Sequence, residues 1–163
     1  MFLKKHLDSF KIYIFLLLIS SSMIIKGVPE FPIINFITYL FTHILLVYIG
    51  IYHFKIILFF IYFVIGFIFD VFLLNEIGTH TVTFLVLILI LGLLKKFYIL
   101  MSSKVIFLLI TILLFFTIIC EMFISFILFD FSFEISNLIK NIICYFIIAF
   151  PIYYIFNKID KIG

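Results

Sequence analysis

Six apolar segments separated by short polar breaks occupy almost the whole of this 163-residue chain. They cover about residues 12–28, 31–52, 56–74, 79–94, 105–129 and 137–156. A helix of about 20 apolar residues crosses the hydrocarbon core of a bilayer, and most of the segments approach that length. Hydrophobic residues make up 67% of the chain and charged residues 12%, against about 45–50% and about 25% in soluble domains. The sequence therefore predicts an all-α integral membrane protein: a bundle of about six transmembrane helices forming one domain, residues 1–163.

The breaks between the segments are too short for a soluble domain. They hold no glycine-rich phosphate loop, so any ATP-driven activity would need a partner protein. Cys120 and Cys144 lie within apolar segments and form no C-x-x-C pair, which favours inert buried thiols over a redox or metal role. We expect no cofactor, no metal and no nucleic-acid partner, and contact mainly with the lipid bilayer.

The lysines predict the orientation of the bundle. With a cytoplasmic N-terminus and six alternating spans, nine of the eleven lysines fall on the cytoplasmic side. Only Lys26 and Lys140 fall outside, which satisfies the positive-inside rule and places both termini in the cytoplasm. A basic start, a short apolar run and Ser20–Ser22 also fit a cleaved signal peptide. The apolar run resumes at Met23, which favours retention of the first span.

An aspartate, Asp70, lies inside the third apolar segment. An ionised group in the membrane costs roughly 2.5–3.5 kcal/mol on insertion scales, so such a residue is a functional candidate. Gly66 precedes it by four residues on the same helix face, where a missing side chain allows another backbone to approach closely. Gly78 follows in the short loop after the helix. Asp70 has a structural alternative, as a hydrogen-bond acceptor for neighbouring helices.

The other polar residues of the segments crowd toward the predicted outer side. Glu121 places a carboxylate in the fifth segment at a depth similar to that of Asp70. A tilted helix would bring Glu121 close to the membrane–water interface. Caps and back-bonded side chains explain many Ser, Thr and Asn residues near helix ends. We favour a polar groove that opens outward around Asp70 and Glu121. Its secondary candidates are Thr38, Thr83, Ser125 and Asn141.

Two histidines accompany these carboxylates. His43, near the middle of the second segment, is predicted to be a neutral hydrogen-bonded core residue. His80 is predicted to pair with Glu76 or Asp70; the Glu76 and His80 spacing alone makes a weak metal site. The many Phe and Tyr residues are interpreted as lipid-facing bulk and interfacial anchors.

The pattern G-x-x-x-D-x-x-x-x-x-x-x-G, formed by Gly66, Asp70 and Gly78 between two apolar spans, resembles the rod shape-determining membrane protein family MreD. The similarity is sharpest over residues 63–94 and elsewhere rests on length and hydropathy. It implies a non-enzymatic scaffold of the bacterial cell-elongation and peptidoglycan-synthesis machinery in the cytoplasmic (inner) membrane. The implied partners are a bitopic MreC-like protein, an MreB-like filament and the peptidoglycan synthases.

Two other functions stay open at this point. The chain is similar in size and span count to the substrate-binding components of energy-coupling-factor transporters, and an outward pocket fits that class. Against it, the sequence shows no clear internal repeat or pair of broken helices. An intramembrane enzyme would need a nucleophile or a paired base, which Asp70 and Glu121 could supply only if they meet.

Overall fold

The computed structural model describes residues 2–26, 32–74, 78–98, 101–129 and 135–162. All regular structure in these ranges is helical. The helices are α1 (Phe2–Lys26), α2 (Pro32–Tyr52), α3 (Ile57–Phe69), α4 (Thr79–Tyr98), α5 (Ser103–Phe129) and α6 (Ile135–Ile162). A π-helical turn, Asp70–Leu74, continues α3.

Helix α2 is the centre of the bundle. It packs against α1, α4, α5 and α6, and every residue from 42 to 51 is buried. The closest antiparallel pair is α3 with α4, followed by α1 with α2. Neighbouring helices therefore cover most of α2, whereas Ile33, Ile34 and Ile37 near its start are exposed.

Large apolar side chains also cover the outside of the bundle. Many of them are strongly exposed, and Phe15, Phe60, Phe123 and Phe146 are each more than 60% exposed. Four helices are long and apolar enough to cross a membrane, at Ile33–Tyr52, Thr79–Tyr98, Lys104–Leu128 and Ile142–Ile159, and two shorter apolar helices lie at Ser9–Ile24 and Ile57–Phe72. Such an outer surface is compatible with a multi-pass membrane protein in contact with lipid.

The predicted all-helical fold is confirmed over the described ranges, and three of the six predicted segments nearly coincide with helices. The second, third and fifth helices agree within about two residues, with α3 and its π turn counted together. Helix α1 begins earlier than expected, at Phe2, and α6 runs on through Pro151 to Ile162. The hydropathy pattern marks apolar cores, whereas the helices continue into their polar flanks.

The interpretation of the aromatic residues as lipid-facing is wrong for a part of them. Tyr13, Tyr48, Tyr62, Phe69 and Phe84 are among the largest fully buried side chains. Two of the buried tyrosines donate to backbone acceptors on other helices: Tyr13 to the carbonyl of Phe156, and Tyr62 to that of Leu46. A buried hydroxyl needs such a partner, so these rings tie helices together across the core.

Candidate functional site

The carboxylate of Asp70 is fully buried and accepts five hydrogen bonds. Its Oδ1 accepts from the backbone N–H of His80 (2.7 Å) and from the His80 ring Nδ1 (2.9 Å). Its Oδ2 accepts from the backbone N–H groups of Gly78 (2.9 Å) and Thr81 (3.0 Å) and from the Thr81 hydroxyl (2.6 Å). Every donor comes from residues 78–81, at the start of α4.

Asp70 acts as the N-terminal cap of the next helix. The first backbone N–H groups of a helix have no partner within it, and a side chain at the N-cap position commonly accepts from the second and third helical residues. That position is Gly78, which has no side chain and whose carbonyl accepts the N–H of Val82 (2.9 Å). Asp70 supplies the missing oxygens from the preceding helix. Its negative charge also faces the positive end of the α4 dipole.

Gly66 allows the close approach that this cap requires. A Cβ atom built on Gly66 would lie 2.6 Å from Cα of Thr81 and 2.9 Å from its backbone nitrogen. These are backbone atoms of α4, which cannot turn aside as a side chain can. The two helices therefore touch along their backbones where α4 begins, one turn of α3 below Asp70.

Gly78 occupies a backbone conformation that suits glycine. Its φ is +129°, a region that side-chain-bearing residues rarely adopt. This turn aims the Gly78 N–H at Asp70 just before α4 starts. Gly66, Asp70 and Gly78 thus serve one structure, which we call the α3–α4 joint together with His80 and Thr81.

A second buried cluster joins α2 to α5. Glu121 Oε1 lies 2.7 Å from His43 Nε2, and Oε2 accepts a hydrogen bond from the Tyr39 hydroxyl at 2.5 Å. His43 Nδ1 lies 2.9 Å from the backbone carbonyl oxygen of Tyr39, one turn earlier on the same helix. His43 is 1% exposed and Glu121 7%. The side chain of Glu121 therefore has partners for both oxygens inside the bundle.

The two clusters are neighbours. The rings of His43 and His80 lie 6.4 Å apart between centroids, and Phe69 and Phe84 pack against both. Tyr145 of α6 approaches the His43 ring edge-on at 6.0 Å. Each carboxylate pairs with its own histidine, so the arrangement does not form the paired base that an enzyme built on Asp70 and Glu121 would need.

The expected open groove is not what these residues form. Asp70, His80, Thr83 and Glu121 share one region of the bundle, as expected, but all are buried. Their polar atoms bond to other groups of the same chain, as the structural alternative for Asp70 anticipated. The pairing of His80 with Asp70 is confirmed, and Glu76 lies outside the described residues.

The secondary candidates have local roles. Thr38 and Thr83 donate to the carbonyls of Ile34 and Thr79, each one turn earlier (both 2.8 Å). The Ser125 hydroxyl lies 3.4 Å from that of Thr79 and links the C-terminal part of α5 to the start of α4. Asn141 lies in α6, but its side chain is outside the described part of the chain. For the two threonines, back-bonding explains the polar residue without a ligand.

Among the described residues, no group of three or more His, Cys, Asp or Glu side chains is arranged to hold a metal ion. The two acid–histidine pairs each use their facing atoms on one another. The site therefore keeps two acid–histidine pairs inside an apolar bundle. These pairs fix how α2, α3, α4 and α5 pack against one another.

Comparison of the chain with models of protein families, with curated proteins and with solved structures gives no match.

Sequence reasoning did not find the partner of His43. Glu121 lies 78 positions away on another helix, and no local spacing links the two residues. The sequence indicates His43 as a core histidine and Glu121 as an intramembrane carboxylate, each by itself. The only available signal was chemical: a histidine and a carboxylate that share an apolar interior tend to pair, because each is costly to bury alone.

Proposed function

We propose that the chain is a non-enzymatic membrane scaffold of the bacterial cell-elongation machinery, of the kind that its resemblance to the MreD family implies. One observation carries the proposal. The three residues on which the resemblance rests, Gly66, Asp70 and Gly78, make one physical unit, because each is needed to bring the start of α4 onto the end of α3. Three pattern residues that build one joint support the family resemblance more strongly than three residues without contact would.

The partner of such a scaffold would dock on the outer faces of the helices. The buried polar groups of the described chain are largely used within it, whereas the outside presents Phe, Ile and Leu side chains. Between helices in lipid, association comes from close packing. A bitopic MreC-like protein would therefore bind by laying its membrane helix against this surface, and the α3–α4 joint would act by fixing the surface's shape. An MreB-like filament and the peptidoglycan synthases would join the same complex.

The proposed topology has six membrane-crossing helices with both termini in the cytoplasm, in the cytoplasmic membrane of a bacterium. The lysine distribution supports it. Short connections also favour alternating crossings, and α1 packs on α2, α3 on α4, α4 on α5 and α5 on α6. Helix α3 alone has 13 residues, but the π turn extends it to Leu74.

Cysteine labelling tests this topology. After Cys120 and Cys144 are replaced by serine, single cysteines at positions 76 and 134 should react with a membrane-impermeant maleimide in intact cells. Cysteines at positions 55 and 96 should react only after the cells are opened. Labelling of position 76 or 134 only in opened cells would contradict the proposed orientation.

Depletion tests the scaffold function in a rod-shaped host that depends on this chain. Loss of the protein should give rounded, swollen cells with misplaced wall synthesis, visible by microscopy with a fluorescent wall precursor. Re-expression of the unaltered chain should restore rods. Cells that stay rod-shaped but lose uptake of one nutrient would contradict the scaffold and support the transporter.

The gene neighbourhood offers independent support for the scaffold function. The gene for this chain should lie beside genes for an actin-like filament protein and an MreC-like protein. Co-purification of the MreC-like product with the chain would then supply the direct measurement of docking.

A further inference from the structure

We propose that His43 and Glu121 form a binding site for one exchangeable proton in the interior of the bundle. The inference is independent of the scaffold function, because it rests on the hydrogen-bond geometry of this pair alone. The ligand is a proton held between His43 Nε2 and Glu121 Oε1, which lie 2.7 Å apart.

The backbone fixes where the protons of His43 lie. Nδ1 is 2.9 Å from the carbonyl oxygen of Tyr39, and a carbonyl oxygen only accepts, so Nδ1 carries a hydrogen and donates it. A neutral imidazole has one N–H, so its Nε2 then has a lone pair. That lone pair would face a lone pair of Glu121 Oε1 at hydrogen-bond distance. The contact is attractive only when a second proton lies between the two atoms.

The Tyr39 hydroxyl does not supply this proton. It donates to the other oxygen, Oε2, at 2.5 Å. The bridging proton therefore belongs to the pair, either as an imidazolium beside a carboxylate or as an imidazole beside a carboxylic acid. Both forms have a net charge of zero.

Release of the proton changes the charge of the pair. The N–H or O–H bond of the bridge breaks, its electron pair stays on the nitrogen or oxygen, and the proton goes to water. The net charge goes from zero to minus one, and two lone pairs are left facing each other in a site that is at most 7% exposed. Burial of an unpaired charge is costly, so the contact between α2 and α5 should loosen when the proton leaves.

The neighbouring Asp70–His80 pair has no such requirement. Asp70 accepts three backbone N–H groups and a hydroxyl in addition to the ring of His80, and it faces the positive end of α4. A neutral His80 with its hydrogen on Nδ1 satisfies that contact. Asp70 is thus held as a fixed anion.

Titratable groups lie around the pair on its own two helices and on three others. Tyr39 lies on α2, and Cys120 precedes Glu121 on α5. His80 of α4 faces the His43 ring, and Asp70 at the end of α3 pairs with His80. From α6, Tyr145 lies against His43, and its buried hydroxyl has no hydrogen-bond partner. A buried hydroxyl without a partner is rare and provides an unused donor and acceptor beside the site.

Proton counting on the purified protein tests the proposal, with Glu121→Gln as the main variant. Its amide can donate to His43 Nε2 while its oxygen accepts from Tyr39, so the variant keeps the shape of the site without the extra proton. In an alkaline titration of lipid nanodiscs, the unaltered chain should release one more proton per molecule than the variant. Nitrogen NMR on histidine-labelled protein should assign this release to His43, identified by the signal that His43→Gln lacks.

Stability provides the second measurement. Release of the proton leaves an unpaired charge inside the folded bundle but not in the solvated unfolded chain, so the thermal midpoint should fall as the pH rises through the release. The midpoint of Glu121→Gln should lack this step. His43→Gln removes the same bridge from the other side and serves if Glu121→Gln fails to accumulate.

Two results would overturn the proposal. The first is equal proton release from the unaltered chain and from both variants. The second is a step that persists in Glu121→Gln and disappears in His80→Gln, which would assign the proton to the Asp70–His80 pair.

Discussion

Replacement of Asp70 by alanine is expected to remove on the order of 4 kcal/mol from the free energy of unfolding, because several donors lose their acceptor at about 1–3 kcal/mol for each unsatisfied group. The substitution leaves the backbone N–H groups of Gly78, His80 and Thr81 without their acceptor. Asp70 and His80 are buried, which hinders replacement of the lost acceptor by water. The measurement is the free energy of unfolding in mixed micelles, together with the abundance of the protein in membranes.

Asp70→Asn distinguishes the cap from a merely buried polar group. Asparagine keeps the volume and one acceptor oxygen, but its NH₂ group faces donors where Oδ2 accepted three hydrogen bonds. We expect a loss of about 2 kcal/mol, within the range for buried unsatisfied groups. Hydrogen exchange should be faster in the first turn of α4 and nearly unchanged in α6.

Phe67→Leu is the matched control for Asp70, because Phe67 lies on α3 one turn away and is 46% exposed on the outside of the bundle. It should unfold like the unaltered chain and leave exchange in α4 unchanged. Normal stability and exchange in Asp70→Ala would show that α4 starts equally well without the cap. If Asp70→Ala has normal stability but no longer binds the partner, Asp70 is a docking residue and not a cap.

The helix positions were predictable because the membrane-like hydropathy signal is local. A run such as residues 31–52 has to become a helix in an apolar environment, whatever its neighbours are, since only a helix satisfies its own backbone. The order of packing was not predictable in this way. That α2 is surrounded by four other helices depends on which faces meet, and the nearly uniform Ile, Leu and Phe faces carry little periodic signal.

The site was predictable in composition and not in arrangement. Asp70, Gly66 and Gly78 could be singled out because each is unusual for its place: a charge, a missing side chain, a turn. The spacing of 8 residues from Asp70 to Gly78 is short enough to suggest contact across the turn. Glu121 and His43 could each be identified from the sequence, but their pairing could not. The burial of the site residues, which form an interior network and not a groove, depends on tertiary packing alone.

Gly66→Ala is expected to separate α3 from α4 and to cost about 3 kcal/mol, at the upper end for an overpacked core. The added methyl group would lie 2.6 Å from Cα and 2.9 Å from the nitrogen of Thr81, so α4 itself has to move. That movement carries the N–H groups of His80 and Thr81 away from Asp70. The free energy of unfolding and hydrogen exchange at the start of α4 are again the measurements.

Gly92→Ala is the matched control within α4. Its added methyl group would meet the ring of Phe54 at 3.1 Å, and a ring can turn aside where a backbone cannot. We expect a loss below about 1 kcal/mol, as for a small change that the core can absorb. Equal losses from Gly66→Ala and Gly92→Ala would mean that the close backbone approach has no special importance.

The double variant Gly66→Ala with Asp70→Asn tests whether the two residues serve one joint. Gly66→Ala moves the α4 N–H groups away from the carboxylate, and Asp70→Asn removes an acceptor of the same groups. Once one change has been made, the second therefore has fewer of these hydrogen bonds to break. The combined loss should fall short of the sum of the single losses by about 1 kcal/mol or more, within the range for coupled neighbours. Gly92→Ala combined with Asp70→Asn should be additive within about 0.5 kcal/mol, as for independent sites. Additivity in both pairs would show that Gly66 and Asp70 act separately, and the resemblance pattern would then lose the structural unity on which the scaffold proposal rests.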